Sequence, residues 1–269
     1  MASIPPRQKK RLSKAQRRRL KVRQARKAKQ ARCRLRRLHD RLPRHARHLL
    51  DTLAPAFTRP AFLRFALLLL AAILALGGRT VSNLLRTLGA LAPGHCTSFH
   101  RLLSRCRWHG RRLARALATA LLNRLLPDGP IHLVGDDTVC EHPGKQVYGK
   151  GCHRDPVRST HSFTTYRWGH KWVVLALLVR CPFATRLWAL PTLVALYLTE
   201  GENAKQRRRH KTPAHLLRQL VCALMHWFPD RRFALAADGN YATHELAKLA
   251  ARSPGRLTFV SKFYPDANL

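Results

Sequence analysis

Two short runs decide how this chain folds: IHLVGDDT at residues 131–138 and FALAAD at residues 233–238. Each is a brief apolar stretch of strand-forming character that ends on acid. In open α/β sheets, functional groups collect at the carboxyl ends of the strands. If these two strands are neighbours, Asp136–Asp137 and Asp238 converge at a spacing able to hold a hard cation. Mg²⁺ prefers oxygen ligands and keeps several waters, which suits a carboxylate pair facing a phosphate. The same acids would equally well cap the turns that follow, and spacing alone leaves both readings open. Acids are scarce in this chain, 13 against 51 Lys and Arg, so their positions carry information. Side chains alternate along a strand, so Asp136 and Asp137 cannot both face one ion without a bend.

Working outward, the texture around these runs is mixed α/β from Pro130 onward. HSFTTYRW (161–168) reads as a second strand, and WVVLALLV (172–179) as one buried on both faces. WALPTLVALYL (188–198) reads as a further strand, weakened by Pro191. Between the first two lies EHPGKQVYGKGCHRD, a loop rich in Gly, His and Lys, and GENAKQRRRHKTP is a polar linker. Thr212 then caps a helix Pro213–Trp227 with Pro at its first position. A helix Thr243–Ala251 and a strand LTFVSKF follow the second acidic run. Consecutive strands followed by helix, strand, helix and strand suit a mixed sheet.

Upstream the chain differs. Residues 1–47 hold 20 Lys and Arg against one acid, Asp40. Alone, such an arm is expected to be disordered or a transient helix. Residues 48–128 read as an all-helical region punctuated by Pro and Gly. Within it, Thr80–Leu88 and Thr97–Trp108 resemble a helix-turn-helix over 80–108, with Thr80 and Thr97 suited to N-caps. Phe99, Leu102, Leu103 and Cys106 share one face of the later helix; Arg101, Arg105 and Arg107 lie elsewhere and could meet DNA. A helical bundle with a basic rim reads the same residues almost as well.

The net charge of +38 calls for a polyanion. Nucleic acid fits, because each neutralised phosphate releases a condensed counterion. A membrane does not: the apolar run Phe65–Leu76 is too short to span a bilayer and no signal peptide opens the chain. Seven cysteines at irregular spacing argue against a disulfide framework and for a reducing, cytoplasmic, nucleoid-associated setting. Cys140, His142, Cys152 and His153 have zinc-ligand chemistry, but their spacing fits no standard site. Trp168, Trp172, Trp188 and Trp227 alternate with apolar residues and read as core.

Two blocks carry a resemblance to a known family. DDTVCEHPGKQVYGKGCHRDPVRSTHSFTTYRWGHKWVVLALLV is similar to the first catalytic block of insertion-sequence DDE transposases, and ALAADGNYATHELAKL with LTFVSKF to their second. The resemblance implies an RNase H-like core, incomplete here, in residues 129–269. It implies an Asp-Asp-Glu triad holding two Mg²⁺ (or Mn²⁺) ions, and a double-stranded DNA partner at element ends and target. By position, Asp137 matches the first ligand, with Asp136 as fallback, and Asp238 the second. Lys145, Lys150, His153, Arg154, Arg158, Arg167 and Lys171 flank the first carboxylate and would bind phosphates. The family's third ligand, a Glu on a later helix, has no counterpart: Glu245 reads as a surface residue and Asp266 as an unsuitable loop residue. The expectation is therefore a transposase lineage, possible as a homodimer, that is truncated and inactive alone. The alternative is a non-enzymatic DNA-binding protein. Tyr241, close behind Asp238, reads as a packing residue at least as well as a catalytic one.

Overall fold

The computed structural model describes residues 13–144, 147–155, 158–160 and 162–262. The chain divides into two compact units, Met1–Gly110 and Arg111–Leu269.

The first unit is helical. Helix α1 (Lys14–Asp40) starts on a capping box: the Ser13 hydroxyl accepts from Gln16 N at 3.2 Å, and Gln16 Oε1 accepts from Ser13 N at 2.9 Å. Two orphan donors are thereby satisfied. Most of the basic arm is thus a continuous helix, where self-repulsion alone argues for disorder. What anchors it is its C-terminal end, where Leu35 and His39 are buried. Helix α2 (Arg44–Asp51) supplies Asp51, whose Oδ1 lies 3.2 Å from His39 Nε2. The His39 ring meets Phe62 edge-on at 5.5 Å, within α3 (Arg59–Leu74). Helix α3 is the apolar run and carries the unit's core through Phe62, Leu63, Leu67 and Ala71. Among the described residues no helix is long and apolar enough to cross a membrane.

Helices α4 (Val81–Leu88) and α5 (Cys96–Ser104) occupy the segment read as a helix-turn-helix. Thr80 caps α4 by accepting from Asn83 N. The second cap differs from expectation: the His95 side chain, not Thr97, accepts at the start of α5. Helix α5 also stops at Ser104, short of Trp108, whose indole N–H donates to the Leu102 carbonyl at 3.2 Å. Of the face expected to be apolar, Phe99 and Leu102 are buried, while Leu103 and Cys106 are exposed. Arg101, Arg105 and Arg107 all reach solvent.

In the second unit, helix α6 (Gly110–Leu125) leads into a mixed sheet. Its strands are β1 (Ile131–Glu141), β2 (Gly151–Arg154), β3 (Tyr166–Arg180), β4 (Leu187–Tyr197), β5 (Phe233–Ala237) and β6 (Leu257–Ser261). Strand β3 pairs antiparallel with β1 and with both β2 and β4. On the other side β1 pairs parallel with β5, and β5 parallel with β6. The main path is therefore β4-β3-β1-β5-β6, antiparallel through its first three strands and parallel beyond. Helices α8 (Pro213–Trp227) and α9 (His244–Ala251) form the crossovers, giving an RNase H-like α/β core.

Several local expectations are corrected. The two strands expected at 161–168 and 172–179 merge: β3 begins only at Tyr166 and runs unbroken through Gly169. Residues 162–165 are not strand, His161 lies outside the described residues, and the first four residues of β3 pair with β2 inside the expected loop. A Cβ at Gly169 would lie 2.1 Å from the Cys140 carbonyl oxygen, so glycine allows the close approach that keeps β3 continuous. The polar linker holds a short helix α7 (Glu200–Lys205), because Thr199 accepts from Glu202 N and supplies its cap. Pro191 is accommodated at a β-bulge where the register slips opposite Leu175 and Ala176. Trp168 and Trp188, expected in the core, are 62% and 46% exposed. Trp168 sits at even parity on β3, on the face away from α8, whereas Val173, Leu175 and Leu177 fill the buried one.

Candidate active site

The core of the second unit dictates which way each acid points. Ile131, Leu133 and Gly135 on β1 are buried, and so are Phe233 and Leu235 on β5. These odd-numbered positions face α8. The approach there is close: a Cβ on Gly135 would lie 2.5 Å from Leu217 Cδ2 on α8. Glycine immediately before the acids is therefore a packing requirement.

Alternation carries Asp137 to this covered face and Asp136 to the opposite, open one. Asp137 is half-buried, and protein groups engage both of its oxygens. Lys171 Nζ on β3 lies 3.0 Å from Oδ1, and the Tyr241 hydroxyl donates to Oδ2 at 2.9 Å. Tyr241 belongs to a single 3-10 turn, Gly239–Tyr241, directly after β5, and its ring is buried. Burial and the adjoining Asp137 carboxylate, followed by Asp136 and Asp238, push the Tyr241 phenol far above its ordinary range. All three acids thus act on one hydroxyl, which ties the end of β1 to the turn after β5.

Asp136 is exposed, and its Oδ1 accepts the Asp137 backbone N–H at 2.7 Å. The parallel ladder between β1 and β5 ends at Gly135 opposite Ala237. The next residues are Asp136, still within β1, and Asp238, just past the end of β5; alternation along β1 turns Asp136 to the open face. Asp238 is exposed as well; its oxygens accept from Gly239 N at 2.6 Å and Asn240 Nδ2 at 3.2 Å. Its carbonyl accepts from the Ser261 hydroxyl at 2.9 Å, and that hydroxyl also reaches the Ala237 carbonyl at 3.0 Å. Strand β6 thereby braces the end of β5, a role no motif in the sequence announces.

The donor set fits a hard divalent cation in kind: the carboxylate oxygens of Asp136 and Asp238, both open to water. Among the described residues, no three His, Cys, Asp or Glu side chains converge as a ligand group. Glu245 is engaged elsewhere, bridging α9 to His215 on α8.

The flanking basic residues separate into two groups. Lys171 is bound to Asp137, and Arg167 faces inward on β3 with its guanidinium paired to Asp155 and to Glu141 at 3.1 Å. Arg154 and Arg158 are exposed, and Lys150 donates to the Gly144 carbonyl at 2.8 Å. Lys145 and Asp266 lie outside the described residues. His153 is buried on β2 beside this cluster; burial first, then Lys171, lowers the affinity of its ring for a proton. Cys140 and Cys152 are exposed thiols.

The fold is an RNase H-like sheet in which the ladder between β1 and its parallel neighbour β5 stops one residue before Asp136 and Asp238. The particular family follows from sequence. The profile of the DDE superfamily endonucleases matches residues 52–269, and the chain belongs to that family. Among solved structures, it is similar to a piggyBac transposase in a cryo-EM synaptic complex with hairpin DNA. The identity is 14% and the TM-score 0.39, over 78% of this chain and 43% of that one. The chain therefore spans under half the length of that transposase. No curated protein matches.

Proposed function

We propose that this chain is the DNA-cutting and joining core of a mobile-element transposase, acting on double-stranded DNA at the element's ends. The observation that carries the reading is that Asp136 and Asp238 are the residues that directly follow the parallel ladder joining β1 and β5, which stops at Gly135 opposite Ala237. In this assignment Asp238 and Asp136 hold the cation directly, and Asp137, the first choice by motif position, anchors the site from the covered face through Lys171 and Tyr241. Mg²⁺ or Mn²⁺ held there would activate the attacking oxygen and stabilise the leaving one in an in-line displacement.

The chain's own residues do the rest. The lysine pairing leaves Asp137 neutralised and stationary, so the strand end it shares with Asp136 does not recoil from the approaching phosphate. Tyr241 and Ser261 hold the turn that carries Asp238. Exposed Arg154 and Arg158 supply phosphate contacts along the sheet, and Arg101, Arg105 and Arg107 supply them in the helical unit. In hydrolysis, water adds to phosphorus as the P–O3′ bond breaks, and the departing 3′ oxygen takes a proton. In joining, that 3′-hydroxyl replaces water: its oxygen bonds to a target phosphorus as the target's own P–O3′ bond breaks. The departing 3′ oxygen takes up a proton as the attacking hydroxyl loses one. Two chains pairing two ends within the nucleoid, on an insertion element, complete the reading.

Calorimetry with Mn²⁺ in the presence of DNA tests it. Wild type should bind the ion, while Asp136→Asn and Asp238→Asn should not. Retained binding in both variants would refute the site and leave a non-enzymatic DNA-binding protein. With two acids rather than three in this set, strand cleavage by the chain alone should stay near background. Robust nicking that disappears in Asp238→Asn would overturn that expectation and keep the site.

A further inference from the structure

The open face of β3 carries a feature the strand-end chemistry does not use. Tyr166, Trp168, His170 and Trp172 alternate onto this face, the one that also carries Asp136 opposite Val174. At the far end of the strand, Tyr166 and Trp168 are each 62% exposed. Leaving an indole in water forfeits the burial that normally holds tryptophan inside.

Cations accompany these rings. Lys150 Nζ stands 5.8 Å from the Trp168 ring centre, and Arg154 is the register partner of Tyr166. Beside Tyr166 opens a polar hollow of about 440 Å³, lined by Arg154, Ser159, Thr160 and Thr164. Arg154 is exposed there, and its register partnership places it on the aromatic face.

We propose that this aromatic and basic strip is a binding site for unpaired bases of DNA. Trp168 and Tyr166 stack on the bases, while Lys150 and Arg154 take the phosphates. Exposed π-faces interleaved with cations are the chemistry that holds single strands without reading sequence. A paired duplex cannot use the strip, because its bases are already stacked on both sides; a frayed, flipped or overhanging base can. The net charge of +38 selects a polyanion over a neutral protein surface as the occupant. The strip lies six residues along β3 from the level of Asp136, 174 against 168. At the rise of an extended strand this is roughly 20 Å. It would therefore engage DNA a few nucleotides away from the cleaved bond, on a single rigid strand. The inference rests on the DNA reading above.

The test compares a blunt duplex with the same duplex bearing a short single-stranded overhang, by fluorescence anisotropy with the full 269-residue chain. Trp168→Ala should weaken binding to the overhang duplex about tenfold, the scale of one lost base-stacking contact, and leave the blunt duplex unchanged. Trp168→Phe should recover most of the loss, and Lys150→Ala should flatten the salt slope for the overhang duplex by about one and leave that for the blunt duplex unchanged. Equal losses on both duplexes, or none, would overturn the strip and leave the carboxylate site standing. Altered self-association with unchanged DNA binding would also overturn it, in favour of a protein interface. Failure of the wild type to bind either duplex would overturn the DNA reading itself.

Discussion

The two faces of the central sheet treat adjacent aspartates in opposite ways. On the covered face, Asp137 meets a lysine and a buried phenol. On the open face, Asp136 is exposed on the same side of β3 as a strip of exposed rings, and Asp238 just past β5 is exposed as well. One residue of register separates a carboxylate held by the protein from one available to a ligand. The comparison teaches that acid identity is a poor guide to role where acids occur in tandem. What the opposite strand offers each oxygen is the better guide.

The largest expected effect tests the open face. Asp136→Asn and Asp238→Asn should each reduce Mn²⁺ affinity by more than about a hundredfold, beyond what loss of an outer-shell partner typically costs. Neither should lower thermal stability much, because both side chains are exposed. If Asp137→Asn instead removes ion binding while Asp136→Asn spares it, the assignment of the two faces is reversed.

The next effect belongs to the covered face. Lys171→Met leaves a half-buried carboxylate without its cation, and the cost should be on the order of 1–3 kcal/mol, read as a lowered denaturation midpoint. Asp137→Asn relieves the charge and should cost less. Gly135→Ala probes the same face by volume: the added methyl meets Leu217, and overpacking should cost about 1–3 kcal/mol. Unchanged stability in both Lys171→Met and Gly135→Ala would mean this face is not close-packed, and the contrast would collapse.

A smaller effect links the faces. Tyr241→Phe keeps the buried ring and removes only the tether to Asp137, so stability should fall by about 1 kcal/mol. Ion affinity should fall roughly tenfold, since the turn carrying Asp238 loses its tie to β1. A stability loss with unaltered ion affinity would make Tyr241 a packing residue and nothing more.

Much of this architecture could be read from the chain itself. The end of β5, α8 with its Thr212 cap and the β5–α9–β6 passage follow from local pattern, because apolar period and cap chemistry are properties of neighbouring residues. Strand β1 instead runs through the two acids expected to end it and stops at Glu141. What local pattern does not hold is the partner of each strand. Gly169 looks like a break between two strands until the Cys140 carbonyl is seen to press against it. Pro191 looks unfit for a strand until a bulge receives it. The same blindness affects the site: the Asp-Asp-Thr run does not show that Asp137 meets Lys171 and Tyr241 while Asp136 is exposed. Lys171 and Arg167 read as phosphate ligands because charge is local, whereas their acid partners sit on other strands or loops. For helix α1, charge density leaves a disordered arm and a helix both open, and the helix is accompanied by a capping box and by buried Leu35 and His39.

The smallest expected effect is a pH dependence set on the covered side. His153 is buried next to Lys171, and both burial and that ammonium hold its proton affinity below the ordinary imidazole value. The sign follows from proton uptake on unfolding. Below about pH 6.5 the unfolded chain binds a proton at this ring while the folded chain still resists it. The contribution to stability is therefore complete above the unfolded value and declines as pH drops toward the folded one. Denaturation midpoints measured from pH 7.5 to 5 should fall in wild type, and His153→Phe should flatten that slope. Lys171→Met should flatten it in part, because one of the two causes is removed while the burial remains. A slope insensitive to both substitutions would show that acid sensitivity arises elsewhere, and that the lysine on Asp137 does not act on the rest of this face.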